Sequence, residues 1–352
     1  MLRYVFRKLK YSLLVLLGVA LVVFFLFHLL PGDPVSMMAG QRSDIATREA
    51  IAHDLGLDLP LHRQLLHYMN DLSPLSLHAN TSQNQEKYSY SKLITHPGNK
   101  IWVLKAPYLR RSFQTNKKVS EILLENLSGT IWLALAAMVF ATTLGISLGI
   151  IAALKLNTAS DHLIVGFSVL GISVPSFVAA IIMALVFGYY LSDYTGLNLT
   201  GQLWVTDPML GRQLQLKNII LPAITLGFRP LAIITQLTRS SMIEVMQQDY
   251  IRTARSKGLP NYVVVLKHAL KNAINPVITA VSGWLASLMA GAFFVEYIFG
   301  WKGIGSVTIK AVQSLDFPVV MGSTLMIASF FVFINIIVDV AYAIADPRVR
   351  IQ

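Results

Sequence analysis

Arg229 is the residue in this chain whose position most needs a chemical reason. It falls about ten residues into an apolar run that opens near Asn218, so at 1.5 Å per residue its Cα sits about 15 Å deep, close to a bilayer midplane. A guanidinium there costs about 2.5 kcal/mol or more on insertion scales, so it must face protein or water and find a partner. Its own run holds no acid. Two readings follow. In one, Arg229 snorkels or bonds the backbone carbonyls freed by Pro230. In the other, it lines a translocation path, as a bidentate donor to a substrate carboxylate or to an acid on a partner subunit. Ser173 and Ser176 pose the same alternative. They flank Pro175, which removes a backbone hydrogen bond and kinks an apolar helix, and their hydroxyls either line a path or satisfy the freed carbonyl.

Enzymatic constellations do not form. His53, His62, His67 and His78 match no ligand spacing and read as solvated histidines, so no metal site is expected. The chain has no cysteine, which excludes disulfides and thiolate sites. No Gly-x4-Gly-Lys-Ser/Thr string is present to cradle nucleotide phosphates, and neither a Gly-x-Ser-x-Gly elbow nor a His-Glu-x-x-His helix occurs. No catalytic residue and no cofactor are expected. Energy for any driven process must come from another subunit.

The elements that position these residues are membrane spans. Of 352 residues 54% are hydrophobic and only 13% charged, a membrane-protein composition. The net charge of +11 is scattered among loops with no basic stripe interleaved with aromatics, so it reads as positive-inside charge and not as a nucleic-acid surface. Arg3, Arg7, Lys8 and Lys10 precede an apolar run from Tyr11 to Leu30. That run has the roughly 20 residues of a crossing helix and exceeds a signal-peptide core, so residues 1–30 read as an anchor with a cytoplasmic N-terminus. Pro31-Gly32-Asp33-Pro34 ends it. Residues 31–126 are polar and extracytoplasmic, with Ser43-Asp44 capping a helix from Ile45 to Leu55 and a second helix from Leu61 to Leu72. An insertion over 73–114 follows, whose apolar patch Ile101-Trp102-Val103-Leu104 is far too short to span.

Further spans are expected at Ile131–Leu154, Leu163–Leu191, Asn218–Leu237, Ile274–Ile298 and Phe317–Ala345, which makes residues 127–352 a five-helix core. The span Ile131–Leu154 carries Gly145-x3-Gly149, a small face that admits another helix. Between the spans Asn218–Leu237 and Ile274–Ile298 lies a polar island, residues 239–275. Arg239, Arg252, Arg255, Lys257, Lys267 and Lys271 outnumber Glu244 and Asp249 there, which puts the island on the cytoplasmic face. Helix formers run from Met242 to Lys257, Gly258 stands where a helix would stop and Pro260 follows, the pattern of a C-terminal cap. A second helical run, Val263 to Ala273, completes a helix-Gly-helix hairpin.

The string Asp249-Tyr250-Ile251-Arg252-Thr253-Ala254-Arg255-Ser256-Lys257-Gly258, followed by His268-Ala-Leu-Lys-Asn-Ala, resembles the cytoplasmic coupling loop of ABC-importer permeases of the dipeptide/oligopeptide family. Arg252-Thr253-Ala254 stands where the general signature has Glu-Ala-Ala, and Lys271 where it has proline. Leu29 to Pro34, Asp54 to Leu61, Gly171 to Phe177, Gly300 to Gly305 and Asp346 to Arg350 resemble further motifs of the family in the same order, with Lys302 in place of a usual proline. The resemblance implies an all-α polytopic permease with six transmembrane helices and both termini cytoplasmic, in the cell's inner membrane. It implies a second related permease, two ATP-binding subunits and an extracytoplasmic substrate-binding protein as partners. It also implies that Asp249, Tyr250, Arg252, Thr253, Ala254, Arg255, Lys257 and Gly258 form the ATPase-coupling surface, and that ATP-driven closure pushes on this helix to swing the pathway. The rival, a self-sufficient secondary carrier or channel, would show an inverted repeat or several intramembrane carboxylates.

Overall fold

The computed structural model describes residues 2–29, 35, 49, 52, 56–96, 100–209 and 211–345. The Pro31–Pro34 turn, the Ser43-Asp44 cap with most of its helix, His53 and the Asp346–Arg350 tail lie outside the described residues. The chain divides into two compact units, one gathering Asn126–Ile309 with the stretch from Phe330 onward, the other Leu2–Glu125 with Lys310–Ser329.

In the second of these units, α1 (Leu2–Leu29) packs Phe24 against Tyr68 of α2 (Leu61–Leu72), with Met321 and Leu325 in the same buried cluster. The insertion forms a small sheet. Strands β1 (Leu75–Ala79), β2 (Ser91–His96) and β3 (Lys100–Leu104) lie antiparallel in the order β1-β3-β2, and α3 (Ser82–Tyr88) joins the first two. The patch too short to span is therefore the central strand. Alternation along a pleated strand buries Ile101 and Val103 and exposes Trp102 and Leu104. The segment after the sheet is pinned where Ser112 Oγ (2.5 Å) and the Phe113 N–H (3.0 Å) donate to the buried Asp316 carboxylate.

The other unit is helical. It contains most of α4 (Val119–Leu154), then α5 (Ala159–Ser173), α6 (Ser176–Leu185, prolonged by a π-wound turn Val186–Tyr190) and a short hairpin of β4 (Trp204–Asp207) and β5 (Gly211–Leu214). Next come α7 (Lys217–Met246), α8 (Asp249–Ser256), a helical run through Ala273, α9 (Asn275–Gly291) and α10 (Phe293–Ile298). Helices α11 (Ile304–Gln313) and α12 (Phe317–Ala345) follow, of which Lys310–Ser329 counts with the unit that holds α1. The small face of α4 does admit another helix: a Cβ built on Gly149 would lie 2.5 Å from Thr238 Cβ, and one on Gly145 2.8 Å from Ile234 Cγ2, both on α7. Side chains at either glycine would force the two backbones apart.

Behind α10 a buried carboxylate organises the Gly300–Gly305 turn. Glu296, with no exposed surface, accepts hydrogen bonds from Thr130 Oγ1 (2.8 Å) and from the Ser306 N–H (3.0 Å). Gly303 has no room for a Cβ, since one would fall 2.3 Å from Glu296 Oε2, and Trp301 is anchored by its indole N–H to the Gly129 carbonyl at 2.9 Å.

Among the described residues four helices are long and apolar enough to cross a membrane, or five if a bent pair counts as one. The bent pair is α5 with α6 and its π turn, turned by 109°. A kink was expected at Pro175; the structure has a full break, because Val174 takes the extended backbone (φ −79°, ψ 126°) that a residue before proline prefers. The fifth expected crossing, Ile274–Ile298, is not one unbroken helix. Helix α9 has 17 residues. That is about 26 Å at 1.5 Å per residue, and it stops at Gly291-Ala292, where glycine weakens a helix. Ile131 was expected to open the second span; α4 instead begins a dozen residues earlier, at Val119, so the polar stretch gives way to helix sooner than the apolar run announces.

Candidate functional site

The polar island forms a hairpin with its own small core. A single helix from Met242 to Lys257 was expected, but Met242 to Met246 complete α7, and Gln247-Gln248 break the chain before α8. Met242 is already buried in the hairpin, so the long helix reaches into it before the chain turns. The amphipathic α8 then docks by one face: Ile251 and Ala254 pack with Met242, Val264, Val265 and Ala269, and Ile150 of α4 borders the cluster. Of the eight residues assigned to a coupling surface, Ala254 thus faces inward.

The other face of α8 is open. Asp249 and Arg252 are almost wholly exposed and pair at 3.4 Å one turn apart. Such an exposed pair contributes little, about 0.3–0.5 kcal/mol, and leaves both groups available. Tyr250 is half-exposed and its hydroxyl accepts from Asn272 Nδ2 at 3.0 Å, tying α8 to the returning helical arm of the hairpin. Thr253, Arg255 and Lys257 also face outward.

Gly258 ends α8 with φ +77°, the left-handed backbone expected of it. The Gly258 N–H donates to the Arg255 carbonyl (2.9 Å) and the Leu259 N–H reaches back to the Ala254 carbonyl (3.4 Å), the paired bonds of a Schellman cap. Pro260 then opens Asn261–Val263, Val264–Ala269 and Leu270–Ala273, one helical run whose middle winds as π-helix. That π stretch was not foreseen; nothing in the apolar pattern separates it from α-helix.

At the base of the hairpin Arg239 grips Asp161. Its Nε and a terminal nitrogen donate to the two carboxylate oxygens at 2.6 and 2.7 Å, and the Asn157 N–H adds a third bond at 3.0 Å. Asp161 is buried in the first turn of α5, so this fork fastens α5 to the end of α7. Sequence reading listed Arg239 among loop charges and passed over Asp161. Pairing across 78 positions leaves no local signal, although a carboxylate at the foot of an apolar run is itself a request for a cation.

The intramembrane candidates meet only in part. A cavity of about 200 Å³ lies between α5, α6, α7 and α9, with Ser176, Thr225, Arg229, Trp284 and Ser287 in its wall. Ser173 and Pro175 are not among the lining residues. Ser173 Oγ instead donates to the Val169 carbonyl at 2.8 Å, within its own helix, so it does not reach the carbonyl that Pro175 leaves free. Arg229 is exposed, its guanidinium 5.9 Å from the centre of the Trp284 ring, and among the described residues it has no carboxylate partner. Cation–π attraction holds such a group in place without neutralising it, so the charge stays available to an anion. Trp284 was missed: it is one aromatic in a run of small and apolar residues, and only the packing of α9 on α7 brings it to the arginine.

The site is thus a helical core that presents one short exposed helix on a hairpin with its own small core. Residues 145–351 match the model of the binding-protein-dependent transport system inner membrane component family, and residues 1–134 match the N-terminal model of the same membrane components. The chain is 34% identical to the dipeptide transport system permease protein DppB of Escherichia coli over 99% of both chains. It is 36% identical to the di/tripeptide transport system permease protein DppB of Pseudomonas aeruginosa over the full length of both, and 33% identical to the glutathione transport system permease protein GsiC of Salmonella typhimurium over 99% of both. Among solved structures it resembles a chain of the MetNI methionine ABC transporter in inward-facing conformations, with a TM-score of 0.50 at 13% identity, covering 64% of this chain and 97% of that one. The chain belongs to the binding-protein-dependent transport system inner membrane component family. It is the inner-membrane permease of an ABC importer, not itself catalytic, with ATP hydrolysis in a separate subunit.

Proposed function

We propose that this permease imports peptides or similar small solutes, forming the path with a second, related permease and docking two ATP-binding subunits through α8 and its glycine cap. An extracytoplasmic binding protein delivers the substrate. The observation that carries the reading is the exposed face of α8, with Asp249, Tyr250, Arg252, Thr253, Arg255 and Lys257 outward on a helix whose opposite face is locked into the hairpin core. A helix held that way transmits a push instead of absorbing it. Peptides enter the reading through the relatives that carry dipeptides and di/tripeptides.

In this mechanism closure of the ATPases drives α8, and α7 carries the displacement to the cavity around Arg229. There the guanidinium and the hydroxyls of Ser176 and Ser287 offer donors to a substrate carboxylate or to an acid of the partner permease. In this reading the chain crosses the membrane six times, the fifth crossing made by α9 and α10 across the Gly291-Ala292 break, with both ends in the cytoplasm and the sheet of the 73–114 insertion outside.

Single cysteines placed in this cysteine-free chain test the arrangement. A cysteine at Lys92 should react with an impermeant maleimide added outside, whereas one at Lys257 should react only after permeabilisation and be shielded when the ATPases are bound. The reverse pattern, or an assembled permease that captures no ATPase, overturns the proposal.

A further inference from the structure

The cavity between α5, α6, α7 and α9 holds one charge and no counter-charge. Among the described residues that line it, Arg229 alone is charged, and none is Asp or Glu. Thr225 is committed to its own helix, where its hydroxyl donates to the Leu221 carbonyl at 2.8 Å. Ser176 and Ser287 are exposed, and their hydroxyls make no hydrogen bond among the described residues. The rest of the wall, apart from Trp284, is aliphatic, glycine or the Phe228 ring. A guanidinium in such a wall is stabilised most by an anion set against it, so the pocket suits a carboxylate and offers no charge to an ammonium.

Its size narrows the ligand. At about 200 Å³ the cavity is smaller than the roughly 300–1,000 Å³ of sites that enclose a whole small ligand, yet larger than the about 150 Å³ that takes in a benzene ring. There is room for one residue and not for a peptide.

Trp284 sets where the charge stands. The centre of its ring lies 5.9 Å from the Arg229 guanidinium, an attraction between a charge and a neutral ring. Arg229 makes no hydrogen bond among the described residues, so its N–H donors stay open and can meet a carboxylate two at a time. An anion arriving there adds to the contact with Trp284 and does not displace it.

We propose that this pocket takes the C-terminal residue of a peptide. Arg229 meets the carboxylate, Ser176 and Ser287 add hydroxyl donors, and Trp284 is a positioning residue that holds the guanidinium in place. The amino end stays outside and is not read. The permease itself thus selects for a free carboxyl end, whatever caps the other. That the ligand is a peptide rests on the importer reading; the demand for a carboxylate rests on the pocket.

The test is an equilibrium titration of the complex that purifies with this chain, in nanodiscs and without ATP or binding protein, so that the selectivity measured is the permease's own. The probes are alanyl-phenylalanine, its N-acetylated form and its C-terminal amide. The free and acetylated dipeptides should bind saturably and alike, and the amide about tenfold more weakly or worse, the loss of one charge-assisted pair. Arg229→Leu should erase the preference for acid over amide. Trp284→Leu should weaken the acid by about threefold and leave the amide unchanged, and Trp284→Phe, which keeps a ring, should recover part of that loss. A merely structural Trp284 would weaken acid and amide alike. Tryptophan emission should change when the acid binds and stay constant in Trp284→Phe, although the chain's other tryptophans remain.

Equal binding of acid and amide, weakened binding on acetylation, or no saturation would overturn the proposal. So would equal binding joined to loss of the partner permease from Arg229→Leu, which would show that the arginine pairs with an acid of that subunit. The three probes need only the wild type, so a variant that fails to assemble does not blunt the test. Whether ATP-binding subunits co-purify is read on the same sample; their absence would count against the importer reading and still leave the titration to decide the pocket.

Discussion

Gly258 isolates one physical cause cleanly. Its φ of +77° is left-handed, and a Cβ built there meets nothing within 4 Å, so a substitution changes backbone preference and not packing. An L-residue in that conformation loses about 1–2 kcal/mol, a β-branched one more, and asparagine least. Since about 1.4 kcal/mol is a factor of ten in an equilibrium, Gly258→Ala should release the Schellman bonds in roughly tenfold more molecules than the wild type. The helix end then drifts while Ile251 and Ala254 remain docked. The assay is stimulation of ATPase activity by loaded binding protein, with uptake measured alongside, at matched amounts of assembled complex. Gly258→Asn should stay near wild type, Gly258→Ala should fall, and Gly258→Val should fall furthest. Wild-type uptake in Gly258→Val would show that the glycine is only a loop residue. Equal impairment in all three variants would refute the conformational argument from the other direction, because it would mean that any side chain collides with a partner.

Gly149→Leu should lower the thermal midpoint of the detergent-purified permease, since overpacking where Thr238 already lies 2.5 Å from the added Cβ costs about 1–3 kcal/mol or more; an unchanged midpoint would mean that α4 and α7 do not pack as described. Arg229→Leu should abolish transport with basal ATPase activity intact while Arg229→Lys keeps part of it, and normal transport by the leucine variant would make the arginine a packing residue. His78 predicts a pH dependence of the small sheet. Burial, then the charges of Lys105 and Lys87, lower its pKa from 6.5 to about 4, so the unfolded chain takes up the proton first and stability falls as pH drops from 6.5 to about 4. Burial raises the Asp71 pKa and acts with the opposite sign in acid, so the quantity to measure is the difference between wild type and His78→Phe across that window; no difference would refute the assignment.

The parts of the fold that were legible in the sequence are those with a local cause. Apolar runs announce the long helices, and glycine followed by Pro260 announces the cap of α8, because left-handed backbone and a missing donor are properties of single residues. The break of α5 from α6 was half legible: Pro175 predicts a lost bond, but a turn of 109° depends on what α6 then packs against. Ile101–Leu104 is apolar throughout, so the alternating burial of its strand left no mark in the residue types, and its shortness drew attention instead. Contacts between distant positions left no trace. Asp161 with Arg239, Arg229 with Trp284 and Glu296 with Thr130 each join residues whose partners are chosen by helix packing, which the residue types alone do not specify.

Those same contacts give the proposed mechanism its mechanical sense. Helix α7 carries Arg229 in the wall of the cavity and Arg239 at the base of the hairpin, ten positions or about 15 Å apart along one helix. Gly145 and Gly149 let α4 lie directly against it, so α7 cannot bow toward α4 without overlap. Asp161 binds its far end to the start of α5 by a two-pronged contact that resists rotation as well as separation. In the proposed mechanism a push received on the exposed face of α8 and passed to α7 would move α7 and the foot of α5 together. One break on that path is the Val174-Pro175 junction, where α5 hands over to α6, and it lies at the cavity itself, beside Ser176 and across from Arg229. A hinge placed at the cavity is what, in the proposed mechanism, would convert a displacement of α7 into a change in the shape of the site.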